Sequence, residues 1–198
     1  MLSAEERRAA LGIARASIAR ALHRRYPEIA QAEIKVEESA EAFTGILADP
    51  AGAFVTLRIN RELRGCIGYF ESSEPLSSII DELAEKAAFD DPRFPPLTCD
   101  EFWRIRIEIS VLTPMKPIAS IEEIIVGTHG LLLEQGRHRG VLLPQVATEY
   151  GWGREEFLDN VARKAGIART AWREESTRIW IFSAAVFGED EESQGALS

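Results

Sequence analysis

The chain has 198 residues, of which 45% are hydrophobic and 28% charged, a globular composition sufficient for one sizeable core or two small coupled ones. Its formal charge of −9 stays negative without the run Glu189-Asp190-Glu191-Glu192, and neither Arg24-Arg25 nor Arg137-His138-Arg139 forms a basic stripe, which disfavours nucleic acid as a partner. Met1-Leu2-Ser3-Ala4-Glu5-Glu6 carries acids where a signal peptide carries bases, no run reaches the roughly 18 apolar residues of a membrane span, and Cys66 and Cys99 make no disulfide framework, so a cytoplasmic protein with reduced thiols and no membrane partner is expected.

Ser3-Ala4-Glu5-Glu6 has capping-box spacing, and Leu11, Ala14, Ile18 and Leu22 recur at helical intervals, which predicts a helix over 4–25. Ala53 to Ile59 alternates with period two. With Leu63 to Phe70 after Asn60-Arg61-Glu62, it predicts a β-hairpin. Ser73 is placed to cap a helix with Pro75 in its first turn and Leu76, Ile79, Ile80, Leu83 and Ala87 on its buried stripe. Asp91-Pro92-Arg93-Phe94-Pro95-Pro96 then forms a rigid connection. Thr98-Cys99-Asp100-Glu101 offers a second capping box, and Ile105, Ile107, Ile109 and Val111 alternate with polar residues as a strand does.

The character changes after Pro114 and Pro117. Ser120-Ile121-Glu122-Glu123 starts a short helix, and Leu131-Leu132-Leu133 and Gly140-Val141-Leu142-Leu143 flank a second hairpin turn. A helix from about 155 to 165, stopped by Gly166, precedes a last strand from about Arg178 to Val186. The remainder, 188–198, reads as an acidic disordered tail. The four tryptophans, Trp103, Trp152, Trp172 and Trp180, are expected in cores or lobe packing.

Chemistry centres on Leu63-Arg64-Gly65-Cys66-Ile67-Gly68. In an extended strand Arg64 and Cys66 share a side, with Cα atoms about 6.5 to 7 Å apart, so a guanidinium can reach the thiol and stabilise its thiolate. Gly65 and Gly68 let a ligand approach the backbone. The same residues also suit a buried cysteine acting as a small hydrophobe, with glycines marking close packing. Glu108 and Ser110, on the polar face of their strand, can act as base or ligand partners, although a cross-strand ion pair explains Glu108 as well. Among the histidines, His129 lies between Gly127 and Gly130 and is the best candidate proton carrier; His23 and His138 read as solvent-facing. No zinc-ligand spacing and no nucleotide-binding glycine pattern occurs, so no metal site and no particular cofactor is indicated.

Several segments together resemble the AMMECR domain family. Leu63 to Gly68 is similar to its signature, Asp91 to Leu97 to its proline loop, and Ile107 to Pro114 to its central strand; Gly140 to Val146, Trp152, Phe157-Leu158 and Lys164-Ala165-Gly166 follow in family order. The resemblance covers roughly residues 10–188, with Met115 and Ile167 as minor departures. It implies an α+β fold of two unequal lobes: a larger antiparallel sheet with helices built from both chain ends, 1–116 plus 176–187, and a smaller helical lobe with one β-hairpin, 117–175. It also implies a site in the cleft between lobes; the residues themselves add the expectation that Cys66 is its centre, with Arg64, Glu108 and His129 in catalytic roles and Gly65, Gly68, Arg93 and Ser110 binding an unknown small molecule. A Memo-like protein and a radical S-adenosylmethionine protein of the AmmeMemoRadiSam set are the implied partners. The chain lacks the cysteine cluster of an iron-sulfur centre, so radical chemistry would belong to the partner. An enzyme or enzyme component is one reading; a non-catalytic binding or scaffolding module is the other.

Overall fold

The computed structural model describes residues 2–28, 34 and 44–189. The fold is α+β, and the chain divides into two compact units, Met1–Val111 with Ala185–Ser198, and Leu112–Ala184. Of the expected acidic tail, residues 190–198 lie outside the described residues.

The first unit opens with helix α1 (Ala4–Arg25), whose start is fixed as the sequence predicts: Ser3 Oγ accepts from the Glu6 N–H, and the Glu6 carboxylate accepts from the Ser3 N–H. Strands β1 (Ala53–Ile59) and β2 (Glu62–Tyr69) form the first hairpin. Its two-residue turn, Asn60-Arg61, has both residues at positive φ, 53° and 70°, the left-handed pair that matches strand twist. Helix α2 (Leu76–Phe89) follows, but Ser73 makes no cap; Pro75 occupies the N-cap position, and its fixed φ leads into the helix without a side-chain hydrogen bond. The short helix α3 (Cys99–Phe102) has the expected Thr98–Glu101 capping box. Strand β3 (Arg106–Leu112) pairs antiparallel with β1, and the sheet has the order β2-β1-β3-β8, with β8 spanning Ala184–Gly188.

Period-two alternation gives this sheet two faces. Ala53, Val55 and Leu57 of β1 and Ile107 and Ile109 of β3 are buried on one of them, where α2 packs and α1 packs on α2. Trp103 departs from expectation: it is 60% exposed, with its ring edge-on to Phe102 at 5.1 Å, because it follows the last turn of α3 instead of lying on a buried stripe. Glu189, assigned by composition to the tail, instead accepts from Arg15 Nε at 3.0 Å and from the Ile107 N–H at 2.9 Å.

The second unit has its own sheet, ordered β4-β7-β5-β6, from strands β4 (Lys116–Pro117), β5 (Gly130–Gln135), β6 (His138–Leu142) and β7 (Arg178–Phe182). The predicted hairpin is β5–β6, and β4 and β7 extend it. The expected last strand is thus two strands, broken at Ser183, with β7 in this sheet and β8 in the other. Helices α4 (Pro144–Glu149) and α5 (Arg154–Lys164) complete the unit, and Gly166 at φ 74° ends α5 as predicted. Phe157, Leu158 and Val161 of α5 pack with Leu131, Leu133 and Ile181 in a separate apolar core. Trp172 is buried there and donates its indole N–H to Asp159 at 2.8 Å. No helix among the described residues is long and apolar enough to cross a membrane.

Candidate functional site

Cys66 lies midway along β2, directly opposite Thr56 of β1, and Thr56 in turn lies opposite Glu108 of β3. Directly opposed residues share a face, so the three form one row on the side of the sheet away from Val55 and Leu57. Gly68, Phe54 and Ser110 make the next row on that face.

Hydrogen bonding fixes the geometry at Cys66. Its N–H donates to Asp91 Oδ2 at 2.9 Å, not to β1, and opposed residues of an antiparallel ladder exchange both bonds or neither. Thr56 and Cys66 are therefore a non-hydrogen-bonded pair, the type whose side chains come closest. Thr56 Oγ1 donates to Cys66 Sγ at 3.3 Å. The same parity turns the Cys66 N–H and C=O toward the outer edge of the sheet, because β2 is its terminal strand.

Asp91 and Arg93 occupy that edge. The Asp91 carboxylate, 2% exposed, accepts from the Cys66 N–H, from the Arg93 N–H at 3.1 Å, from Arg93 Nε at 2.9 Å and from Arg93 Nη2 at 2.7 Å. Arg93 Nη2 also donates to the Cys66 carbonyl at 3.1 Å. One carboxylate and one guanidinium thus stand in for an absent neighbouring strand, accepting from residue 66 and donating back to it. The Arg93 hydrogen bond, with help from the two backbone N–H groups, holds the Asp91 carboxyl far below the usual carboxylate range against the opposing effect of burial. Arg93 is correspondingly raised, first by Asp91 and then by Cys66.

Arg64 is turned elsewhere. Leu57 pairs with Gly65 and Arg58 with Leu63, which leaves Arg64 as the extra residue of a β-bulge. A bulge breaks the two-residue alternation and re-aims its side chain. Arg64 donates to Glu101 Oε1 at 2.8 Å and Oε2 at 3.0 Å, and this pairing, ahead of the Thr98 cap, holds the Glu101 carboxyl below its ordinary value. The guanidinium bound to residue 66 belongs to Arg93.

Close packing alone accounts for two signature glycines. A Cβ on Gly65 would lie 2.0 Å from the Ala87 carbonyl oxygen of α2, and one on Gly68 would lie 2.2 Å from the Phe54 ring. Glu108 stands two strands from Cys66, with roughly 10 Å between their Cα atoms at the usual strand spacing, and its carboxylate lies 3.9 Å from Arg58. Ser110 is buried beside Phe54. His129 belongs to the other unit, where its Nδ1 accepts from the Ile125 N–H at 3.1 Å and closes a turn. His23 Nε2 bonds the Ile34 carbonyl at 2.8 Å and His138 Nδ1 the Ala165 carbonyl at 3.2 Å, so both are tied to backbone rather than only solvated. Among the described residues no group of three or more His, Cys, Asp or Glu is placed to hold a metal ion.

Asp91 and Thr56 escaped the sequence reading. Both carried a signal: Thr56 is the polar residue within the apolar run Phe54 to Leu57, and Asp91 precedes a proline two residues before an arginine. The buried polar residues among those described are Ser17, Thr56, Asp91 and Ser110; Thr56 and Asp91 hydrogen-bond Cys66, and Ser110 lies in the adjacent row.

Relatives share both sequence and fold. A protein of Methanothermobacter thermautotrophicus is 48% identical over 145 residues, covering 70% of this chain and 76% of its own. A protein of Methanopyrus kandleri is 42% identical over 172 residues, 82% of each chain. The crystal structure of an uncharacterised protein from Pyrococcus horikoshii superimposes with a TM-score of 0.76 at 34% identity, covering 91% of this chain and 90% of that one. The AMMECR1 family model matches residues 11–187, and the chain belongs to the AMMECR1 family.

Proposed function

We propose that Cys66 is the centre of a thiol-dependent small-molecule site in a cytoplasmic enzyme or enzyme component that works beside a Memo-like and a radical S-adenosylmethionine protein. The observation that carries the reading is the hydrogen bonding of two buried polar groups, Thr56 and Asp91, to one half-buried cysteine. Buried polar groups are costly and are tolerated where structure or chemistry needs them. Arg93 supports the reading by holding a fixed positive charge beside residue 66. The two partners are what resemblance to the AMMECR domain family implies, and the chain's own residues do not identify them.

Alkylation of the folded protein with iodoacetamide across pH, read by peptide mass spectrometry, tests this. Cys66 is expected to label while buried Cys99 does not. Labelling of neither cysteine before unfolding would remove the thiol reading.

A non-catalytic binding or scaffolding module is the second reading, favoured by the fact that packing alone explains Gly65 and Gly68. Co-purification of Cys66→Ser with the two partner proteins at the wild-type level, together with an unreactive Cys66, would select it.

A further inference from the structure

Asp91 uses only part of Arg93. It takes the Nε and Nη2 side of the guanidinium, and Nη2 makes its second bond to the Cys66 carbonyl. Among the described residues nothing hydrogen-bonds Nη1, and the Arg93 side chain is 55% exposed. Two donors of a guanidinium whose plane is already fixed therefore remain available. The other charged side chains near this row are matched with partners: Arg64 with Glu101, and Glu108 with Arg58.

We propose that the Nη1 edge of Arg93 is an anion subsite, and that the small molecule taken at Cys66 carries a carboxylate next to the atom that meets the sulfur. This rests on the reading of Cys66 as the reacting group. The forked edge is taken by Asp91, and each remaining Nη1 N–H can give a carboxylate one charge-assisted hydrogen bond. Asp91 repels such an anion, but it lies on the far edge of the guanidinium, and Coulomb energy falls with distance, so the nearer positive charge prevails. Asp91 also holds the Arg93 side chain in one conformation, which lowers the ordering cost of binding. Thr56 Oγ1 donates to Sγ, which fixes the sulfur of the residue whose carbonyl Arg93 binds.

Iodoacetate and iodoacetamide separate charge from reactivity. With either reagent the Sγ–C bond forms as the C–I bond breaks, iodide leaves, and the thiol proton passes to solvent. The quantity to measure is the ratio of the two second-order rate constants at Cys66, followed by peptide mass spectrometry. Arg93→Gln is expected to lower the iodoacetate-to-iodoacetamide ratio on the order of tenfold, and Arg93→Lys, which keeps a charge without the plane that Asp91 fixes, to restore part of it. Raising salt from about 20 mM to about 0.5 M is expected to lower the wild-type ratio by screening, which covers the case in which Arg93→Gln fails to fold. A wild-type ratio insensitive to salt, or one equal in wild type and folded Arg93→Gln while both reagents label Cys66, overturns the subsite and leaves the thiol reading standing. Failure of iodoacetamide to label folded wild-type Cys66 overturns the thiol reading itself, and the subsite with it.

Discussion

Asp91 gathers two backbone N–H groups and two guanidinium donors on one buried carboxylate, and its folded pKa is depressed accordingly. A carboxyl with a lowered folded pKa contributes stability that is complete above its unfolded pKa, near 3.9, and is lost as pH falls through the folded value. Asp91→Asn is expected to cost about 2 kcal/mol at neutral pH, and to reduce the slope of stability against pH below about 4. Urea titrations of both proteins across acid pH measure it; an equal slope would assign the acid loss to other carboxylates. The same residue marks the limit of reading a site from sequence. Arg64 lies two residues from Cys66 and Arg93 lies 27 away, and strand alternation selects Arg64. One unpaired residue reverses that choice, and no local propensity in Leu63-Arg64-Gly65 announces the bulge.

At the scale of elements, α2 and β2 meet with no side chain between the Ala87 carbonyl and Gly65. Gly65→Ala has no empty space to enter and faces backbone, which cannot rotate away. It is expected to destabilise by about 3 kcal/mol, measured by urea unfolding; a loss under half of that would mean that α2 shifts easily over the strand. Elements with strong local signatures were legible. Capping residues located the starts at Ser3, Thr98 and Ser120, alternation located the first hairpin, and apolar runs flanking a turn located the second. Ser73 misled because a proline entry replaced a side-chain cap. The break at Ser183 was invisible because Arg178 to Val186 is locally one extended run, and its two halves are separated only by the different sheets they join.

At the scale of the molecule, two apolar clusters form independent cores, one around Ile18, Leu57, Leu83 and Ile109, the other around Phe157, Leu131 and Ile181. The chain leaves the first unit after Val111 and returns at Ala185. At this junction the Thr113 N–H donates to the Ser183 carbonyl at 2.9 Å, and the Ser183 N–H donates to Thr113 Oγ1 at 2.8 Å. The second unit is therefore an insertion whose two ends are already held together, and a unit with its own core can in principle fold alone. Replacing residues 114–182 with an Asn-Gly turn is expected to leave a protein that unfolds cooperatively with a mixed helix and sheet circular dichroism spectrum; a chain without a cooperative transition would show that the first unit needs the second. The Thr113–Ser183 junction also makes the gene modular. Both crossings of the chain lie at this one seam, so an exchange of the inserted unit takes two breakpoints there and leaves Cys66, Asp91 and Arg93 together on the retained side.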